Sequence, residues 1–365
     1  MSKSLTRRHF LALSTAAAVA APRAAASPQR SGALRIGIIG MGRRGSELAN
    51  AVENRSEKHG CRLAVVCDPD VRRCASFPDA VTDWRDAIES DLDALLIATP
   101  DYLHAPLAIA AMEAGKHVYC EAPLARTVDE AAAIRRVAAA TKRVFGVGVS
   151  ESLTPVWRAA KSIVAEDRIG IVYWCQSSVT PRTSPTTPSW RDDWETSAGL
   201  ATGAFFDRLT AMMYATQLRI PDRVTVAGGN YSGKARQIPD SYVASFEYQE
   251  GPRLVMTTAP AHGKGSPTVI RGSRGTLHVS ASSVTLETES GKMQEIQIRE
   301  ESTDALDHWL ASLRTGMAGA VDAESAYPVT VATAMANDAY RNGRAATFDT
   351  ASACIVPAAT RARTA

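Results

Sequence analysis

Gly40-Met41-Gly42-Arg43-Arg44-Gly45 has the residue types and spacing to hold a pyrophosphate. In this G-x-G-x-x-G pattern the first glycine permits a tight turn out of a strand. The second lets a phosphate approach bare backbone, and the third lets the following helix pack closely, with its free N–H groups aimed at the ligand. The run Arg35-Ile36-Gly37-Ile38-Ile39 supplies the strand, and Ser46 to Arg55 reads as the helix. A second strand, Arg62 to Cys67, ends at Asp68, where an acid can take the hydroxyls of an adenosine ribose. Arg43 and Arg44 could instead grip a 2′-phosphate and so favour NADP, which Asp68 would repel. NAD is the expectation, because the acid stands at the strand end where the ribose should lie.

The first thirty residues point to export. Arg7-Arg8 precedes Phe10-Leu11, a weakly apolar segment runs to Ala21, and Ala24-Ala25-Ala26 offers a cleavage site. That is a twin-arginine secretory signal, with an apolar segment short of the roughly 20 residues a membrane span needs. Lys3, Arg7, Arg8 and Arg23 are the only charges before residue 27, so removing these four of 41 basic residues leaves 37 against 38 acidic ones. A near-neutral processed chain argues against nucleic acid or an anionic membrane as partner. The expected location is periplasmic or extracellular, reached folded through the twin-arginine machinery, with the nucleotide loaded beforehand and held tightly. The six cysteines lack C-x-x-C and metal-ligand spacing. No metal is expected. Cys67 and Cys120, at strand ends, read as buried thiols, and a disulfide stays open.

The elements that must position these residues form two domains. Strands at 34–39, 62–67, 94–98, 117–120 and 144–147 alternate with helices near 46–56, 84–89, 104–115 and 127–141, the rhythm of a doubly wound parallel sheet. This nucleotide-binding domain should span 32–149. From 150 to 345 a helix at 155–166, a strand at 171–177, a helix at 203–218 and hairpin-like strands between 224 and 299 indicate an α+β domain with a mostly antiparallel open sheet. Helices at 302–315 and 327–341 follow, with a tail at 346–365.

Three segments together resemble the glucose–fructose oxidoreductase/inositol dehydrogenase (Gfo/Idh/MocA) family: the glycine turn, Ala98-Thr99-Pro100-Asp101-Tyr102-Leu103-His104, and Ala114-Gly115-Lys116-His117-Val118-Tyr119-Cys120-Glu121-Ala122-Pro123. The resemblance implies an N-terminal Rossmann domain with NAD or NADP and a C-terminal domain whose open sheet often forms an oligomer interface. It implies sugar- or cyclitol-like substrates oxidised at a secondary alcohol. It puts Thr99, Pro100 and His104 along the cofactor cleft and Glu121 at the nicotinamide ribose. The family's E-K-P lysine is Ala122 here, and a methyl group cannot take up the hydroxyl proton, a contribution of roughly 10²–10⁴ in rate. Where many members carry a catalytic histidine, counting from Gly199 reaches Asp207, in a register open by a residue or two. Asp207 would need burial or a neighbouring like charge to exchange a proton near neutral pH.

Two other groups can take the proton. Tyr102 is either a proton acceptor or a ring packed on the cofactor. His262, in Ala261-His262-Gly263-Lys264-Gly265, is either a base or part of a solvated hairpin. His104 reads as a cap or cofactor contact more than a proton carrier. Arg182, Arg191, Asp193 and Arg208 bind sugar groups or form surface ion pairs, and Trp190 and Trp194 stack on a sugar or anchor the core. The expected function is an exported NAD(P)-dependent oxidoreductase with an altered proton relay. The alternatives are a redox-neutral NAD-dependent glycosidase or lyase, and a non-catalytic sugar- and nucleotide-binding protein.

Overall fold

The run Ile36–Ile39 is apolar and β-branched on both faces, which suits a strand covered by helices on both sides. In the computed structural model it forms β1 (Leu34–Ile39), whose last four residues are buried. Residues 32–77, 79–180, 189–231, 236–259, 266–298, 304–316 and 321–358 are described. The chain divides into Met1–Gly32 and Ala33–Ala365, and the fold described is that of the second unit. The signal segment, Arg182 and His262 lie outside the described residues.

β1 pairs in parallel with β2 (Cys61–Cys67) and β4 (Ala94–Ile97). With β3 (Ala80–Val81), β5 (His117–Glu121) and β6 (Phe145–Gly148) they form a six-stranded sheet ordered β3-β2-β1-β4-β5-β6. The order reverses between β1 and β4, and such a switch point opens a crevice at the carboxyl ends of the strands. Between the strands lie α1 (Arg43–Glu53), α2 (Ser56–His59), α3 (Trp84–Glu89), α4 (His104–Glu113) and α5 (Val128–Thr141). The capping box expected at Thr127 and Glu130 is present. Helix α1 starts three residues before the expected Ser46, because Gly42 already serves as its cap.

The second sheet is mixed and mostly antiparallel. Its strands are β7 (Val172–Val179), β8 (Arg223–Gly229), β9 (Ser241–Glu247), β10 (Arg253–Thr258), β11 (Thr268–Gly272), β12 (Gly275–Val279), β13 (Val284–Thr288), β14 (Met293–Glu295), β15 (Ala346–Asp349) and β16 (Cys354–Pro357). They run in the order β14-β13-β12-β11-β7-β10-β9-β8-β15-β16, with β7 and β10 parallel. Helices α6 (Pro155–Ala165), α7 (Leu200–Thr216) and α9 (Ala323–Asn342) cover one face. The expected tail therefore contributes two edge strands. Helix α9 begins four residues before the expected start at Tyr327, since Asp322 and Ser325 form a capping box and Pro328 is tolerated within the helix.

The chain also returns to the first sheet. Helix α8 (Ala305–Thr315) packs Trp309 edge-on to Tyr119, ring centroids 5.5 Å apart, and over Gly146, where a Cβ would meet the indole at 2.6 Å. Arg55 and Lys58 hold Asp307 at 3.2 and 3.1 Å, and His59 reaches it at 2.8 Å. This clamp fixes β5 from behind, just before the strand delivers Glu121 to the crevice. Five cysteines are buried and Cys354 is exposed; Cys67 and Cys120 are the buried thiols expected of them. Among the described residues no helix is long and apolar enough to cross a membrane.

Candidate functional site

The glycine turn is built from contacts that admit no side chain. Gly40 has φ +96°, and a Cβ there would stand 2.8 Å from the Ala98 carbonyl. A Cβ on Gly45 would lie 1.8 Å from the Gly40 oxygen, so the helix start is pressed onto the turn. Gly42 is different: its Cβ position has open space, with Arg73 Nη1 nearest at 4.0 Å. Two glycines thus serve the protein's own packing and the middle one faces room for a ligand.

Asp68, 4% exposed, closes the turn from β2. Its carboxylate accepts hydrogen bonds from the Met41 and Asp70 N–H groups at 2.9 Å each, with Arg73 Nη1 at 3.5 Å. The acid expected to take ribose hydroxyls therefore also orders the turn, and its oxygens retain capacity for further donors. Arg43 is exposed and pairs with Glu47 at 2.5 Å. Arg44 leaves the adenosine side altogether. It bridges Glu47 at 3.2 Å and Glu121 at 2.9 Å, so it is not placed to grip a 2′-phosphate beside Asp68.

The loop after β4 carries Thr99, Pro100 and the short turn Asp101–Leu103. Tyr102 on that turn is 40% exposed. His104 opens α4 and is 1% exposed, with Nδ1 2.8 Å from the Pro123 carbonyl oxygen and Nε2 3.0 Å from that of Thr99. Carbonyls only accept, so both ring nitrogens donate and the ring is a cation. Burial works against that charge, yet the Cys120 sulfur, the Asp101 carboxylate and the Pro123 carbonyl outweigh it and push the imidazole up to about 10. His104 is thus a tie between the β4 and β5 loops, sealed from any proton exchange with substrate. Because its folded value lies above the unfolded value near 6.5, its stabilisation is full below that pH and disappears as pH rises through about 10. Thermal melts should show unaltered protein losing stability between those limits, while His104→Leu is less stable at neutral pH and has a flatter alkaline profile. Identical alkaline profiles for the two proteins would refute the tie.

The buried Asp101 accepts a hydrogen bond from Ala198 N–H at 2.8 Å. Asn337 donates to the Ala198 carbonyl at 2.6 Å and accepts from Ala201 N–H at 3.2 Å. Asp101 ties the start of α7 to the first domain and Asn337 ties it to α9, and α7 carries Asp207 and Arg208. Arg208 makes a fork onto Glu151 and donates to Ser177 and Thr268 at 3.0 and 2.9 Å, so it is an internal strut and has no hand free for a sugar. Asp207 accepts the Glu151 N–H at 3.0 Å. Burial and then the charge of Glu151 push its carboxyl up to about 7, against that N–H and Arg208. Both conditions set for Asp207 are met.

Glu121 ends β5 and is held against Gly148, where a Cβ would lie 2.8 Å from Oε1. Burial raises its carboxyl and Arg44 works against that. Nη2 of Arg44 stands off the hydrogen-bonding direction of Oε1, which keeps no aligned donor. Thr99 Oγ1 is likewise buried without a partner. These two oxygens, with the open space at Gly42, are the features of the crevice that fit a dinucleotide.

Glu151, whose charge adds to burial in raising Asp207, escaped the sequence reading; its only signal was its place just after β6, where the other strands' loops carry site residues. The remaining described candidates make contacts within the protein. Trp190 lies under Arg191 at 4.0 Å. Trp194 lies under Arg341 at 5.0 Å and donates Nε1 to the Gln237 carbonyl. Asp193 accepts the Glu195 N–H. Among the described residues no group of three His, Cys, Asp or Glu is disposed to hold a metal.

Residues 34–149 match the model of the oxidoreductase family with an NAD-binding Rossmann fold, and 157–278 match the Gfo/Idh/MocA C-terminal domain. The chain is 37% identical to levoglucosan dehydrogenase of Pseudarthrobacter phenanthrenivorans over 126 residues, 33% of this chain and 32% of that one. It is 26% identical to 2,7-anhydro-N-acetylneuraminate hydratase of Mediterraneibacter gnavus over 254 residues, 66% of each. The matches to levoglucosan dehydrogenase and the inositol 2-dehydrogenases span less than half of those relatives' length. In fold it superposes on levoglucosan dehydrogenase in complex with NADH and levoglucosan with a TM-score of 0.74, at 19% identity over 86% of this chain and 98% of that one. With the sheet order, the glycine turn and both family models in agreement, this chain belongs to the Gfo/Idh/MocA family, and NAD is the cofactor its Rossmann domain is built for.

Proposed function

We propose that the protein is an NAD-dependent oxidoreductase acting on a secondary alcohol of a sugar, cyclitol or derivative, with Asp207 exchanging the hydroxyl proton. The observation that carries this reading is the place of Asp207, which accepts the Glu151 N–H at 3.0 Å on the helix that Asp101 ties to the crevice loop; burial and then the charge of Glu151 push its carboxyl up to about 7. A carboxyl at that value is divided between acid and base near neutral pH, which proton transfer in either direction requires. The turn Gly40 to Gly45 would hold the pyrophosphate, Asp68 the adenosine ribose, Thr99 and Pro100 the cleft wall, and Glu121 the nicotinamide ribose. When bound, NAD⁺ supplies the hydride acceptor. Asp207 takes the hydroxyl proton, the backbone N–H of Glu151 orients the carboxylate, and the Glu151–Arg208 fork keeps that N–H in place.

The test is to mix the purified protein with NAD⁺ and a panel of sugars and cyclitols and follow reduced-nicotinamide absorbance. Growth of the band with at least one compound is expected. Tight sugar binding with no change in the band would favour the non-catalytic reading instead. A redox-neutral cycle is the second reading, favoured by the relative named as a hydratase, which is matched over two thirds of both chains. Glycoside cleavage without net reduction of NAD⁺, with solvent deuterium entering beside the oxidised carbon, would select it.

The Arg7-Arg8 signal supports export of the folded, loaded protein, with the nucleotide retained through turnover. The double substitution Arg7→Lys/Arg8→Lys should keep the protein in the cytoplasm, and dialysis should leave nucleotide on the processed form. The uncovered face of the second sheet, with Trp174, Val243 and Val255, is the surface proposed for a homo-oligomer.

A further inference from the structure

We propose that Arg44 supplies, from the helix behind the glycine turn, the positive charge that position 122 lacks, and that it is the positioning residue for Glu121. The proposal rests on reading the crevice as an NAD site. The residue that follows Glu121 is Ala122, a methyl group where the family's E-K-P pattern has a lysine. The glycine turn carries two arginines in succession, and neighbours on a helix point about 100° apart. Arg43 therefore turns outward to Glu47, 72% exposed, while Arg44 turns across the crevice to Glu121.

Glu121 cannot retreat from that contact. Its side chain is 15% exposed and its Oε1 is wedged against Gly148. A carboxylate so enclosed stays ionised only with a counter-charge. The charged and titratable groups around it are Arg44 and Glu47 from α1, His104 from α4, Asp207 from α7 and Tyr119 from its own strand. His104 directs both ring nitrogens to carbonyl oxygens, and the others bring no positive charge. Arg44 is the cation in direct contact with Glu121. One consequence concerns the division of labour between two nearby carboxyls. Arg44 opposes the burial that raises the Glu121 carboxyl and so favours the charged form that holds ribose hydroxyls, while burial and the negative Glu151 push Asp207 up to about 7.

The test compares NAD⁺ binding by calorimetry from about pH 5.5 to 9 in unaltered protein, Arg44→Met, Arg44→Lys and the double variant Arg44→Met/Ala122→Lys, with thermal melts as a check on folding. Unaltered protein should lose less affinity toward the acidic end than Arg44→Met. Arg44→Met should bind at least about tenfold more weakly at the acidic end, the scale of a lost charge-assisted hydrogen bond, and recover as pH rises and Glu121 ionises. Ala122→Lys in that background should restore affinity and flatten the profile. Arg44→Lys keeps the charge, so its profile should follow that of unaltered protein, and it decides the matter if Arg44→Met fails to fold. Unchanged binding in Arg44→Met, or a loss equal at every pH that Ala122→Lys does not relieve, overturns the proposal. Failure of the oxidoreductase reading registers separately, as no NAD⁺ reduction by unaltered protein that still binds the nucleotide.

Discussion

Asp207→Asn is expected to lower kcat by roughly 10²–10⁴, the contribution of a positioned acid/base, while leaving NAD⁺ affinity within about twofold. The asparagine preserves shape and can still accept the Glu151 N–H bond, so the loss isolates proton transfer. In the unaltered enzyme, alcohol oxidation should fall as pH drops through about 7, because the protonated carboxyl cannot accept a second proton. Glu151→Gln removes the negative charge that helps raise Asp207 and should move that limb to lower pH. A stability readout guards against a trivial explanation. A carboxyl raised above its unfolded value near 3.9 destabilises the fold once ionised, so stability declines as pH rises from about 4 to about 7. Asp207→Asn should therefore melt at a higher temperature than the unaltered protein at alkaline pH. Lost activity together with lower stability would identify a damaged fold and remove Asp207 from the proton-transfer role.

The second large effect is expected at the glycine turn. Gly45→Ala would place a methyl 1.8 Å from the Gly40 oxygen, and Gly40 has no room to retreat because its own far side abuts Ala98 and Thr99. The clash is between a Cβ, which has no rotamers, and a backbone oxygen, so no side-chain rotation relieves it. The cost should be about 1–3 kcal/mol in denaturant unfolding, the range for overpacking a filled site, and NAD⁺ affinity should fall more than about 100-fold as the helix start moves off the pyrophosphate. Gly42→Ala provides the contrast. Its methyl would enter open space, at a backbone geometry that alanine adopts freely. Stability should hold while NAD⁺ affinity drops, since the methyl occupies the ligand's approach. Equal effects of the two substitutions on melting and binding would contradict the assignment of one glycine to packing and the other to the coenzyme.

Much of the nucleotide half could be read from the chain alone, because its signals are local. A buried parallel strand is a continuous apolar run, a phosphate turn must be glycine, and a helix start announces itself with Thr127 and Glu130. Gly40, Gly45, Asp68 and the strands feeding them followed from those rules, whereas Glu121 and Asp207 were reached only through the family resemblance. The charge partners were not legible. Arg44 sits in a phosphate-binding pattern, and only the rotation of its helix turns it from a phosphate toward Glu121, 77 residues on. Arg208 read as a sugar ligand or a surface ion-pair partner, whereas Glu151, Ser177 and Thr268 converge on it from three separate elements. Asp101 and Asn337 each look ordinary in sequence, and together they anchor the helix that carries Asp207. The sequence by itself determined the sheet, the turn and the family, since backbone geometry and apolar periodicity depend on neighbours in the chain. Only the tertiary structure decided which ionisable group faces which, because Coulomb and desolvation energies depend on distances between elements that the chain does not encode locally.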